Sequence, residues 1–160
     1  MAQATDLGAE TRRQFITFRS GDQEFGADIM SIREIRGWTA TTSLPHAPDF
    51  VRGVISLRGN VLPVIDLKAR LGRGATSVSE THVIIVVNSA EHTIGLLVDA
   101  VSDILTTSAN DIQGTPDFFR DRESDCVEGI AVLGERMVTI LGIEKLMTLV
   151  GYEPPLGQAA

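Results

Sequence analysis

The chain has 160 residues, of which 43% are hydrophobic, enough to build the core of one domain or of two very small ones. Its net charge of −7, with no stripe of Lys or Arg, excludes a phosphate backbone as a natural partner. A lone cysteine, Cys126, excludes an internal disulfide; the absence of an apolar N-terminal stretch, and of any run near the roughly 20 apolar residues that cross a bilayer, sets the expectation of a cytoplasmic protein without direct membrane insertion.

In chain order, residues 1–14 are mostly small and polar and read as a flexible tail. Phe15 to Phe18 is rich in β-formers and meets the turn signal Ser20-Gly21-Asp22 before the extended pattern resumes at Glu24 to Ile29, which gives a first hairpin. Val51 to Leu57 and Val61 to Ile65, broken by Arg58-Gly59-Asn60, give a second. Asp66 to Gly72 has an N-cap candidate and a terminating glycine, so one or two helical turns follow. Residues 73–81 read as a flexible linker, Glu144 to Gly151 as a C-terminal helix and 151–160 as a second flexible tail.

These pieces recur. At an offset of 69, Phe15, Phe18, Phe25, Gly26, Glu34 and Ile35 fall on Ile84, Val87, Ile94, Gly95, Asp103 and Ile104; at an offset of 76, Val51, Gly53, Leu62, Val64 and Ile65 fall on Val127, Gly129, Val138, Ile140 and Leu141. The two offsets place seven extra residues in the polar stretch Ser108 to Cys126, expected to be an exposed loop with a little helix. The chain therefore reads as all-β, an internal duplication with a first copy over about 15–72 and a second over about 82–150. Four or five short strands per copy close most naturally into a small barrel, because closure removes exposed edges. Modules this small rarely stand alone, so the two should be fused or intertwined, with a groove between them.

Catalytic signals are thin. His46, His82 and His92 read as surface histidines with no companions at metal spacing, although His82 and His92 could face each other across a hairpin. Gly72 to Ser77 lacks the Lys-Ser/Thr ending of a phosphate loop, and Asp66 with Asp99 has nothing to bring the two together as an acid/base pair. No cofactor or metal is expected. Arg58, where the second copy has Gly134, and Glu34, among apolar neighbours, stand out as solvated charges or as asymmetric functional residues in a duplicated scaffold.

Val51 to Leu67, with its Leu-Arg-Gly and Pro-Val-Ile-Asp-Leu blocks, resembles the signature of the chemotaxis coupling family CheW, and Phe25 to Ile35, Gly95 to Val101 and Gly129 to Leu146 resemble its other blocks. The likeness runs from about Phe15 to Val150. It implies two intertwined five-stranded SH3-like barrels around a shared core, with short helices and a C-terminal helix. It also implies a non-enzymatic adaptor, monomeric in isolation and part of a receptor array, that couples the cytoplasmic tip of chemoreceptors to the regulatory domain of the histidine kinase CheA. The partner-binding residues it carries over are Ile32, Glu34, Gly53, Arg58, Gly59, Gly95 and Gly129. The same adaptor role in a non-flagellar pathway, or a small-ligand-binding barrel, are the competing readings. Whether Arg58 and Glu34 pair with each other or with a partner stays open.

Overall fold

A computed structural model describes residues 12–88, 92–114 and 126–150, with the side chains of 147–150 set aside. The strands are β1 (Arg12–Ser20), β2 (Gln23–Asp28), β3 (Ile32–Gly37), β4 (Val51–Leu57), β5 (Asn60–Asp66), β6 (Val83–Asn88), β7 (Thr93–Val98), β8 (Ala100–Ser108), β9 (Ile112–Gln113), β10 (Val127–Leu133) and β11 (Arg136–Leu141). Helix α1 spans Leu67–Arg70 and helix α2 spans Ile143–Val150. One sheet has the order β8-β1-β2-β11-β10-β9 and the other β3-β6-β7-β5-β4. Apart from the two-residue β9, the orders are the same once β1, β2, β8, β11 and β10 are read as the repeats of β6, β7, β3, β5 and β4. The sheets form two SH3-like barrels, here barrel A and barrel B.

Neither barrel is built from one copy. β1 and β2 of the first copy lie in barrel A beside β10 and β11 of the second, while β6 and β7 of the second lie in barrel B beside β4 and β5 of the first. The exchange is sealed by parallel pairs, β2 with β11 and β5 with β7, in which Ile140 meets Gly26 and Val64 meets Gly95. A Cβ on Gly26 would lie 3.1 Å from Ile140 and 3.2 Å from Val138; one on Gly95 would lie 2.8 Å from Ile84. Both glycines are therefore set by close packing at the crossing strands.

The apolar runs follow from this arrangement. β6 reads Val-Ile-Ile-Val-Val without alternation because it is covered on both faces: Ile84 and Val86 fill barrel B, while Ile85 and Val87 join a core lying between the barrels. That shared core gathers Phe18 and Phe25 from barrel A, Ile65, Ile85 and Leu96 from barrel B, and Leu67, Cys126 and Leu146. Barrel A has its own filling of Phe15, Leu105, Ala131, Val138 and Ile140. A bulge at Arg52 in β4 recurs at Glu128 in β10.

Several expectations change. β1 starts at Arg12, pairing there with Ser108, so the tail expected through residue 14 is shorter by three residues. The stretch from Ser108 supplies a 3-10 turn at Ala109–Asp111 and the strand β9, which closes barrel A on β10; residues 115–125 lie outside the described residues. The linker over 73–81 is pinned: Thr76 is buried, its N–H donates to Asp66 Oδ2 at 2.8 Å and its hydroxyl to Asp66 Oδ1 at 2.6 Å, while Arg52 donates to its carbonyl at 3.2 Å. A composition of glycines and small polar residues hid the one threonine that docks. The tail expected over 151–160 falls outside the described residues.

Candidate functional site

Arg58 and Gly59 form the two-residue turn between β4 and β5, with φ of +53° and +84°. A β-hairpin this tight favours residues with positive φ, which glycine supplies freely and arginine only at a cost of about 1 kcal/mol. Gly134, at the same turn of the second copy, takes φ +63°. The strained backbone at Arg58 aims its guanidinium at β3: Nη1 donates to Glu34 Oε1 at 2.7 Å, and Arg36 donates to Glu34 Oε2 at 3.3 Å. In the isolated chain Arg58 and Glu34 therefore pair with each other. The Arg58 side chain remains 65% exposed and that of Glu34 20%.

Barrel A carries the matching clasp. Asp103 on β8, the repeat of Glu34, receives Arg136 Nη2 at 2.9 Å and is hydrogen-bonded by the buried Thr17 hydroxyl; Arg136 also grips Glu24 through Nε at 3.1 Å and Nη2 at 2.6 Å. In each barrel an acidic residue of the edge strand is tied to the hairpin at the opposite end of the sheet. Neither Arg136 nor this second clasp was picked out from the sequence. The register match of Glu34 with Asp103 was the available signal, but Arg58 and Arg136 sit two positions apart in the repeat.

Burial raises the Glu34 pKa, but the hydrogen bonds and charges of Arg58 and Arg36 outweigh it and hold the carboxyl below its ordinary value. Asp103 is held low first by the Thr17 hydroxyl and then by Arg136. Carboxylates with depressed folded-state pKa values contribute stability that is complete above their unfolded values and lost as pH falls through the folded ones. Acid titration of stability is therefore expected to fall off below the ordinary carboxylate range, and the fall should be shallower in Arg136→Met; equal slopes in urea melts taken across pH 2 to 6, on the order of the carboxylate range, would refute this.

The remaining expected residues fall in two groups. Ile32 packs at the margin of the shared core. Gly53, Gly95 and Gly129 are buried: a Cβ on Gly53 would strike the Thr42 carbonyl, and one on Gly129 would lie 2.8 Å from the Gln113 carbonyl. All three positions are closely packed against neighbouring strands or loops. Gly59 is exposed, with open space around it. What the sequence did not show is that Ile35, 44% exposed, and its repeat Ile104, 55% exposed, leave large apolar side chains on the outer strands β3 and β8. Ile35 is the cross-strand partner of Ile85 of the shared core in the pair β3 to β6, so it shares that face of the sheet and stands at the rim of the seam between the barrels.

His82 corrects the expectation of three surface histidines. Its side chain is 12% exposed, Nε2 is 3.3 Å from Asp99 Oδ1, and Nδ1 accepts the Ser79 N–H at 3.0 Å; His46 and His92 are exposed. Ser79 Oγ also lies 3.1 Å from Nδ1 and 2.8 Å from Thr81 Oγ1. The chain of three side chains ties the linker to the β7–β8 crossing. Among the described residues no group of three His, Cys, Asp or Glu is placed to hold a metal, and no helix is long and apolar enough to cross a membrane.

Interlocked SH3-like barrels, closed by charge clasps and displaying isoleucines on their outer strands, define a scaffold whose working parts are surfaces. The match to the CheW-like domain model spans residues 14–150, and the chain belongs to that family. It is 51% identical to the chemotaxis protein CheW of Rhizobium meliloti over 84% of this chain and 86% of that one, and 37% identical to the chemotaxis protein CheW of Klebsiella aerogenes over 92% and 90%. Among solved structures it resembles the scaffolding protein TtCheW from Thermoanaerobacter tengcongensis, with a TM-score of 0.76 and 32% identity, covering 84% of this chain and 86% of that one. Membership makes it a non-catalytic chemotaxis scaffold.

Proposed function

We propose that this chain is the adaptor that couples the cytoplasmic tips of chemoreceptors to the regulatory domain of the histidine kinase CheA, working in the cytoplasm as a monomer recruited into receptor arrays. The observation that carries the reading is the surface on β3, where exposed Ile35 stands beside Glu34 and an arginine kept at a backbone angle that glycine would occupy more cheaply. Strain retained at an exposed turn is support for a role outside the fold. An apolar stripe on a receptor helix would lie against Ile32 and Ile35, with Arg58 and Glu34 setting its register. The equivalent face on β8, with Ile104, gives the scaffold a second surface of related shape for the kinase domain. Weak binding at each is sufficient, because an array makes both contacts multivalent.

Arg58→Gly separates this role from a structural one. It removes the Glu34 pair but relieves the positive φ, so the thermal midpoint should stay at or slightly above wild type while affinity for a receptor cytoplasmic fragment falls by about tenfold or more, in line with loss of an interfacial charge. Calorimetric titration of wild type and Arg58→Gly against the receptor fragment and the kinase regulatory domain checks it. Binding of neither partner by wild type would overturn the coupling reading.

A further inference from the structure

The internal repeat sets Phe50 and Arg70 of the first copy against Cys126 and Leu146 of the second, at the offset of 76 that relates β4 and β5 to β10 and β11. Cys126 and Leu146 are fully buried in the shared core, an apolar pair in an apolar place. At the same place in the first copy stands a guanidinium. Arg70, the last residue of α1, is 6% exposed and lies over the Phe50 ring, 5.3 Å from its centroid. The fold accepts a leucine at this position, as the second copy shows, so closing the core does not call for an arginine.

Among the described residues nothing neutralises this charge. The ring of Phe50 covers one face of the guanidinium but gives its in-plane N–H groups no acceptor. Arg70 Nε is enclosed without a hydrogen-bond partner, and no described carboxylate lies at ion-pair distance from the side chain. Asp66, at the start of the same helix, is engaged elsewhere: Oδ1 accepts the Thr76 hydroxyl at 2.6 Å and the Ala69 N–H at 3.4 Å, and Oδ2 accepts the Thr76 N–H at 2.8 Å. Nor does Arg70 cap its helix, because the carbonyls of Leu67, Lys68 and Ala69 already accept the N–H groups of Leu71, Arg73 and Gly72, each at 3.0 Å. Arginine keeps its charge wherever it is buried, so enclosure without a counter-ion is a standing cost that a bound anion would remove. Lys68, two positions earlier, adds positive charge to the local field.

We propose that Arg70 anchors an anion site that takes a small soluble oxyanion of the phosphate class, held by the guanidinium fork beside Phe50. The planar fork matches two oxygens of such an anion at once, and a phosphate carries charge enough to answer both Arg70 and Lys68. The site lies on α1 and rests on none of the contacts proposed for β3 and β8.

The test uses the full-length protein, isotope-labelled, titrated with sodium phosphate and, separately, with sodium chloride at matched ionic strength. Phosphate should shift the Arg70 Nε–H signal and the amides of Phe50 and Leu71 saturably, with an affinity of about 1 mM or tighter, and chloride should not. Arg70→Leu, which installs the residue that the second copy carries, is expected to fold with a thermal midpoint no lower than that of wild type in phosphate-free buffer and to lose the response at Phe50 and Leu71. Arg70→Lys keeps the charge without the fork and should bind phosphate about tenfold more weakly. An unchanged phosphate response in Arg70→Leu, equal shifts with chloride, or no saturable shift by about 20 mM phosphate would overturn the proposal. Arg70-dependent sedimentation with phosphatidic acid vesicles, without any response to free phosphate, would also overturn it, because the anion would then be a lipid headgroup.

Discussion

Gly53→Ala is expected to lower the free energy of unfolding by about 3 kcal/mol or more, the sum of a strained backbone and a forced displacement. Gly53 follows the β4 bulge with φ +143°, and the added methyl carbon would meet the Thr42 carbonyl head-on. That carbonyl is held in place because it accepts the Val54 N–H at 2.8 Å, while the Thr42 N–H donates to the Val54 carbonyl at 2.9 Å. The pair of bonds is what closes barrel B on its β4 edge, so the strand can make room only by giving up the closure. Gly59→Ala is the control: its φ of +84° is also costly, but nothing lies within 4 Å, and about 1 kcal/mol is expected. Urea melts of the two variants measure the difference, and a Gly53→Ala loss no larger than that of Gly59→Ala would show that the Thr42 contact relaxes freely.

Phe18→Ala should cost about 3–5 kcal/mol, the range for deleting a large buried ring, and the cost should be read out in the other barrel. Phe18 is fully buried on β1 of barrel A, its ring centroid 6.1 Å from that of Phe25, yet the core it belongs to includes Ile85 and Leu96 of barrel B. Trp38, the chain's single tryptophan, packs on the separate filling of barrel B. If the shared core makes one cooperative unit, Trp38 fluorescence and far-ultraviolet circular dichroism move together to the lower midpoint. An unshifted Trp38 midpoint would mean that the barrels unfold independently.

Much of this architecture was legible in the sequence because it rests on local patterns that are written twice. The paired glycines 26 and 95, the matched runs at Val51 and Val127 and the capping Asp66 fixed strands, turns and the duplication, since hydrophobic period and turn chemistry act within a few residues. Arg58 and Glu34 were marked as unusual for the same reason: one broke the symmetry of a turn and the other that of an apolar stretch. Ile35 and Ile104 were matched to each other, but their exposure was not readable, because a strand's two faces look alike in sequence until both coverings are known.

By itself the sequence determined an all-β duplication, its family and the turn that carries Arg58. Only the tertiary structure decided which units share a barrel, that Glu34 meets Arg58 while Asp103 meets Arg136, and that Thr76 docks on Asp66 at the seam. These are contacts between residues far apart in the chain: in the clasps and at the seam the partners are set by how two closed sheets exchange strands, and that exchange is selected by the total apolar surface buried between the barrels, a quantity that no local stretch of residues encodes.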